Sequence, residues 1–140
     1  MIENKITSIV LRWYNHNEHC EEELSRTKTK ILRKSKKLIY EEFSELAKIR
    51  RVEALLPHSE VELFFKFMEE IFQVLSSENS YRLSVCDGSA WKFCIYSSSV
   101  LLLECKGTVV YPPRGQEIES QMLMLFRNAK IEQPRLFGCG

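Results

Sequence analysis

Glycine and proline are scarce, and where they are missing matters most. The 140 residues include 5 Gly and 4 Pro, and neither kind occurs before Pro57. A stretch of that length without them shows no obvious turn, since turns draw on Gly for positive φ and on Pro for a preset φ. Long hydrophobic runs are missing too: none approaches the ~18 apolar residues of a membrane span. Residues 6–11 are partly apolar but end in Arg12-Trp13-Tyr14, without the small residues of a cleavage site, so no secretory leader is expected. The 5 cysteines, Cys20, Cys86, Cys94, Cys105 and Cys139, are odd in number and contain no CxxC. That usage points to free thiols in a reducing intracellular setting, cytoplasmic or nuclear. Charge of one sign is not in excess: Lys+Arg 20 stand against Asp+Glu 19, a formal net charge of +1. Overall charge therefore makes no case for a nucleic-acid or membrane partner. The phosphate cradles GxxxxGK[ST] and GxGxxG are absent, and the carboxylates fall in charge runs with no paired-acid signature. No enzyme and no cofactor is expected.

The remaining composition is that of a folded chain, 44% hydrophobic and 11% aromatic, and its length fits a single domain over 1–140. Within the Gly- and Pro-free stretch, Ile6, Val10, Trp13, Cys20, Leu24, Ile31 and Leu38 recur in steps of three, four or seven, nearly a heptad seam. After Leu38 the stripe widens through Ile39, Phe43, Leu46, Ile49, Val52, Leu55 and Leu56. The pattern predicts a long N-terminal helix, continuous or broken. Unbroken, it would run about 75–80 Å at ~1.5 Å per residue, against a diameter near ~40 Å for a compact domain of this size. The helix must therefore break, near residues 15–18 or 25–29, or project as a coiled-coil arm over 1–37. A globular part would then follow over 38–133, with a flexible tail over 134–140.

Arg26, Lys28, Lys30, Arg33, Lys34, Lys36 and Lys37 form a basic middle. They suit a phosphate-binding segment, or a solvated helix face balanced by nearby glutamates, to which the neutral overall charge gives the greater weight. Pro57 ends the first element, and Ser59 with Glu62 makes a capping box before the stripe Val61, Phe64, Phe65, Met68, Ile71, Phe72 and Leu75, a second helix. Alternation then predicts an antiparallel meander of three or four strands. Residues 81–86 would pair with 91–96, and 91–96 with the segment after a Ser97-Ser98-Ser99 loop, so that Ile95 faces Leu101 and Lys92 meets Glu104. One face would be core. The other is mixed, with Tyr96, Leu102 and Tyr111 among its residues. Residues 116–129 read as a C-terminal helix.

His16, His19 and Cys20 have i, i+3, i+4 spacing, which zinc accepts, but a fourth ligand is missing; a small zinc- or thiol-dependent protein is the weakest reading. The expected fold is thus α+β: long N-terminal helix, second helix, meander, C-terminal helix. This layout resembles RWD-type modules of scaffold complexes, and Tyr111-Pro112-Pro113 is similar to that family's Tyr-Pro step, which implies a scaffold role. The leading expectation is a protein-protein interaction or adaptor protein, self-associating as a homo-oligomer or binding a protein partner through Ile6, Val10, Trp13, Tyr14 and Leu24, with Tyr96, Leu102 and Tyr111 on the sheet. The alternative is a nucleic-acid-binding protein that uses the basic segment 26–37.

Overall fold

The computed structural model describes residues 5–15, 26–44, 47–76, 80–81, 89–108, 111–112 and 114–137. Among the described residues the expected N-terminal helix is absent. In its place stand four antiparallel strands: β1 (Ser8–Asn15), β2 (Arg26–Leu32), β3 (Lys37–Phe43) and β4 (Lys48–Leu55). Among the described residues there is no coiled coil, no helical arm within 1–37, and none of the helix-led layout that carried the RWD resemblance. The helix α1 (His58–Ser76) follows, then β5 (Ser80–Tyr81), β6 (Ser89–Ser97), β7 (Val100–Thr108) and α2 (Gly115–Asn128). The sheet order is β4-β3-β2-β1-β6-β7-β5, antiparallel throughout except for the two-residue parallel strand β5. No helix among the described residues is long and apolar enough to cross a membrane.

The N-terminal segments are strands because their apolar residues keep a period of two. Ile9, Leu11 and Trp13 on β1 are buried, as are Thr27, Thr29 and Ile31 on β2 and Leu38 and Tyr40 on β3. Alternation puts these on one face. The threonines that would weaken a helix are favoured in a strand, where a branched Cβ fits the pleat. The connection from β2 to β3 turns without Gly because Lys36 adopts φ 58, a left-handed conformation that costs a non-Gly residue about 1 kcal/mol. Its carbonyl accepts a hydrogen bond from the Leu56 N–H at 2.7 Å. The β3–β4 connection closes on Ser44, whose N–H donates to the Ala47 carbonyl at 2.8 Å and whose Oγ accepts from the Ala47 N–H at 3.2 Å.

Both helices and the C-terminal segment cover the inner face. From α1 come Val61, Phe64, Phe65, Met68, Ile71 and Leu75, and from α2 come Ile118, Met122, Leu125 and Phe126. Tyr40 meets Phe126 edge-on, ring centres 5.3 Å apart. The segment 134–140 is not a loose tail throughout: Leu136 and Phe137 are buried, and Phe137 meets Trp91 at 5.1 Å, Phe93 at 5.7 Å and Tyr111 at 5.8 Å.

The meander differs from expectation in register. A bulge between Ile95 and Tyr96 pairs Ile95 with Leu103 and Tyr96 with Leu101. Trp91, Phe93, Ile95 and Leu103 still lie inward, but Leu101 is 45% exposed. The two neighbours of β6 are β7 and β1, not the segment before it; residues 82–88, whose pairing was expected, lie outside the described residues. Phe137→Ala should cost about 3–5 kcal/mol, because a ring is lost from the centre of the core; urea unfolding followed by tryptophan fluorescence measures it.

Candidate functional site

The outer face of the sheet carries no helix among the described residues, and its side chains follow from register. Ser8, Val10, Arg12 and Tyr14 alternate with the buried residues of β1. Opposite them on β2 are Leu32, Lys30, Lys28 and Arg26, and on β6 Tyr96, Cys94, Lys92 and Ala90. β3 adds Lys37, Ile39, Glu41 and Phe43, and β4 adds Leu55, Glu53, Arg51 and Lys48. β7 adds Glu104 and Lys106.

Charge on this face is segregated. Toward β3 and β4 the cations are answered: Lys37 pairs with Glu53 at 2.9 Å, Lys48 with Glu41 at 3.0 Å, and Arg51 with both carboxylates. Toward the centre they are answered only in part. Lys28, Arg12, Lys92 and Lys106 stand directly opposite one another on β2, β1, β6 and β7. With strands about 4.8 Å apart, this row spans about 14 Å. Glu104 reaches Lys92 at 3.6 Å and Lys106 at 3.4 Å. No carboxylate among the described residues lies within ion-pair distance of Arg12, Lys28 or Lys30. Like charges directly opposite across strands are destabilising. Partial burial, then the charges of Arg12 and Lys30 beside it, hold the Lys28 ammonium below the usual lysine range, with Glu41 working the other way.

Beside this row lies a shallow basin of about 320 Å³. It is lined by Ser8, Val10 and Leu32, by the cations Arg12, Lys28 and Lys30, and by Tyr96, Ser98 and Ser99. Val10 is only 6% exposed although it faces outward, and Cys94 opposite it is 2% exposed. Arg26 lies over the Phe43 ring at 4.5 Å.

A second concavity of about 520 Å³ lies between the β3–β4 edge and residues 130–133. Its charges answer each other: Arg50 pairs with Glu42 at 3.1 Å and donates to the Glu132 carbonyl at 3.1 Å. The Tyr40 hydroxyl donates to Glu42 at 2.7 Å and accepts the Arg135 N–H at 2.7 Å. Burial raises the Tyr40 phenol far above its ordinary range.

The expected site residues divide. Val10, Tyr14 and Tyr96 come together on the outer face with Arg26, Lys28 and Lys30. Ile6 and Trp13, expected as partner anchors, are instead 1% and 4% exposed, because they sit on the covered side. Leu102 packs against the core, as does Tyr111, whose hydroxyl donates to Glu119 at 2.6 Å. Leu24, His16, His19 and Cys20 lie outside the described residues. Lys34 and Lys36 are in the β2–β3 turn, and Lys37 is ion-paired. Arg33 faces the helices: it donates to Glu62 at 2.7 and 3.1 Å, to Glu69 at 2.9 Å and to the Ile6 carbonyl at 2.9 Å. It clamps α1 to the sheet. Arg12, Lys92 and Lys106 belong to the outer face and were not singled out as site residues.

Burial raises the Cys94 thiol and pushes Cys105 up to about 11, which keeps both protonated and unreactive near neutral pH. Among the described residues no group of three or more His, Cys, Asp or Glu side chains is placed to hold a metal ion. No protein-family model matches the chain, and no curated protein matches it in sequence.

The clamp is testable by pH. Hydrogen bonds from Arg33 hold the Glu62 carboxyl below the usual range. A depressed folded-state pKa contributes stability above the unfolded value, near ~4.3, and loses it as pH falls through the folded one. Arg33→Met should lower stability by about 1–3 kcal/mol at pH 7, between the values for exposed and buried pairs. It should also flatten the acid limb of a stability-against-pH curve measured by chemical denaturation.

Proposed function

We propose that this protein is a non-enzymatic nucleic-acid-binding module that offers its outer sheet face to a phosphate backbone. The observation that carries this reading is the transverse row Lys28, Arg12, Lys92 and Lys106, three like-charged cross-strand neighbours in succession, with Glu41 opposite Lys28 at one end and Glu104 shared by Lys92 and Lys106 at the other. A fold gains nothing from such a row by itself. A polyanion laid along it relieves the repulsion and releases counterions. Lys30 and Arg26 widen the positive field on the same face. The segment of this reading narrows from 26–37 to alternate residues of β2, and it extends to β1, β6 and β7.

A protein partner remains a competitor for Val10, Tyr14 and Tyr96, but charged residues are depleted at the cores of protein interfaces, and here they occupy the centre. The reason to expect self-association was a projecting helix, and that reason falls away. An intracellular compartment, cytoplasmic or nuclear, goes with the reading, since Cys94 and Cys105 are both free thiols.

Binding of a fluorescently labelled oligonucleotide should weaken steeply with salt. Contact of four cations with phosphates gives a slope of log K against log salt near about −3, at ~0.7–0.9 for each phosphate neutralised. Lys28→Gln and Lys30→Gln should each make that slope shallower by about one contact, with no loss of thermal stability, since Lys28→Gln removes a like-charge neighbour of Arg12. Absence of binding at low salt, or slopes unchanged in both variants, refutes the reading.

A further inference from the structure

We infer that the nucleic acid is single-stranded and crosses the strands of the sheet, its backbone along the Lys28–Arg12–Lys92–Lys106 row and its bases over Tyr14 and Tyr96. This rests on the nucleic-acid reading above and names the ligand class.

The first argument is shape. Base edges of a duplex are read by an element that enters a groove, commonly a helix or a two-stranded ribbon. Here the cations stand on the face of a sheet, on adjacent strands, and both helices lie on the opposite side. A broad face meets a duplex only at its outermost phosphates, whereas an extended single strand can lie along it.

The second argument is the placement of the aromatic residues. Tyr14 is two residues from Arg12 on the same face of β1, so one ring flanks the row on one side. Tyr96 pairs with Ser8 toward the other end of the face, where it lines the basin. Both are half-buried, which fixes a ring on the surface while leaving part of it uncovered. Sequence-tolerant single-strand binders combine a positive track with aromatic platforms. The basin is lined by Arg12 and Lys28 of the track and by Tyr96, the second platform, with Ser98 and Ser99 also among its lining residues. Bases paired inside a duplex cannot reach either ring.

The test measures fluorescence anisotropy of the full chain with an oligothymidylate, an oligouridylate of equal length and a duplex of that length, at one low salt concentration. Wild type should bind the two single strands at least about tenfold more tightly than the duplex. Tyr14→Ala and Tyr96→Ala should each weaken single-strand binding by about fivefold to a hundredfold, the loss of one stacked base, and leave duplex binding unchanged. Tyr14→Phe and Tyr96→Phe should restore it, which separates stacking from a folding defect. A preference for one single strand over the other reports the 2′-hydroxyl or the thymine methyl group and upholds the inference. Duplex binding as tight as single-strand binding, or tyrosine variants without effect, overturns it and leaves the phosphate reading standing. Failure of all three probes overturns both.

Discussion

A sheet covered on one side places alternate residues of each strand in two different surroundings, and the rest of this molecule follows from that division. On the inner side, residues such as Ile9, Leu11, Phe93 and Ile95 must be apolar, because α1, α2 and Phe137 exclude water from them. Some inward polar groups have a partner built in, while Thr29 Oγ1 and Trp13 Nε1 have none among the described residues. Thr27 donates to the Arg135 carbonyl at 2.8 Å, and Arg33 meets two carboxylates at the edge of α1. Outer residues other than Val10 and Cys94, which are also buried, are released from close packing, so their identity can answer to something other than stability. That release is what makes a row of like charges on neighbouring strands informative.

The misreading of the first 56 residues has a physical origin. Ile6, Val10, Trp13 and Ile31 do fall at helical steps, but only if Ile9 and Leu11 are passed over. In a stretch dense with apolar residues, steps of three, four and seven can be drawn through a strand. The period of two was legible at Thr27, Thr29 and Ile31, which alternate with Lys28 and Lys30. The turns were not. Lys36 at φ 58 and Ser98 at φ 55 hold left-handed positions that would ordinarily announce themselves as glycine, and Ser44 closes its own loop. The two helices were legible because they carry local signals: Pro57 and a capping box before α1, and in each an apolar stripe that ends where its helix does.

The site was half legible for the same reason. Local alternation places Arg26, Lys28 and Lys30 on one face once the strand is recognised, and Arg33, just past its end, escapes to the helices. No local pattern brings Arg12 beside Lys92, since β1 and β6 are separated by most of the chain. That pairing is long-range and depends on the whole fold. Trp13 illustrates the converse: an aromatic residue in a conspicuous run suggested an anchor, yet its position on the strand turns it inward, beneath the Arg135 guanidinium at 5.0 Å.

The near-neutral total charge then ceases to weigh against a polyanionic partner. Charge acts over a Debye length, about 8 Å at physiological ionic strength, and several of the described acidic residues lie on the other side of the sheet. α1 carries Glu60, Glu62, Glu69 and Glu70 against Lys66, on the far side of the sheet. A helix is about 10–12 Å across with its side chains, so the outer surface of that layer lies beyond the screening distance from the open face. Within the face, Glu41 and Glu53 are held by Lys37, Lys48 and Arg51, and Glu104 stands at the β7 end of the row. A ligand at Lys28, Arg12 and Lys30 therefore meets the local field rather than the sum over the chain. In a two-layer fold with segregated charge, the net value averages over surfaces that do not act on the same partner.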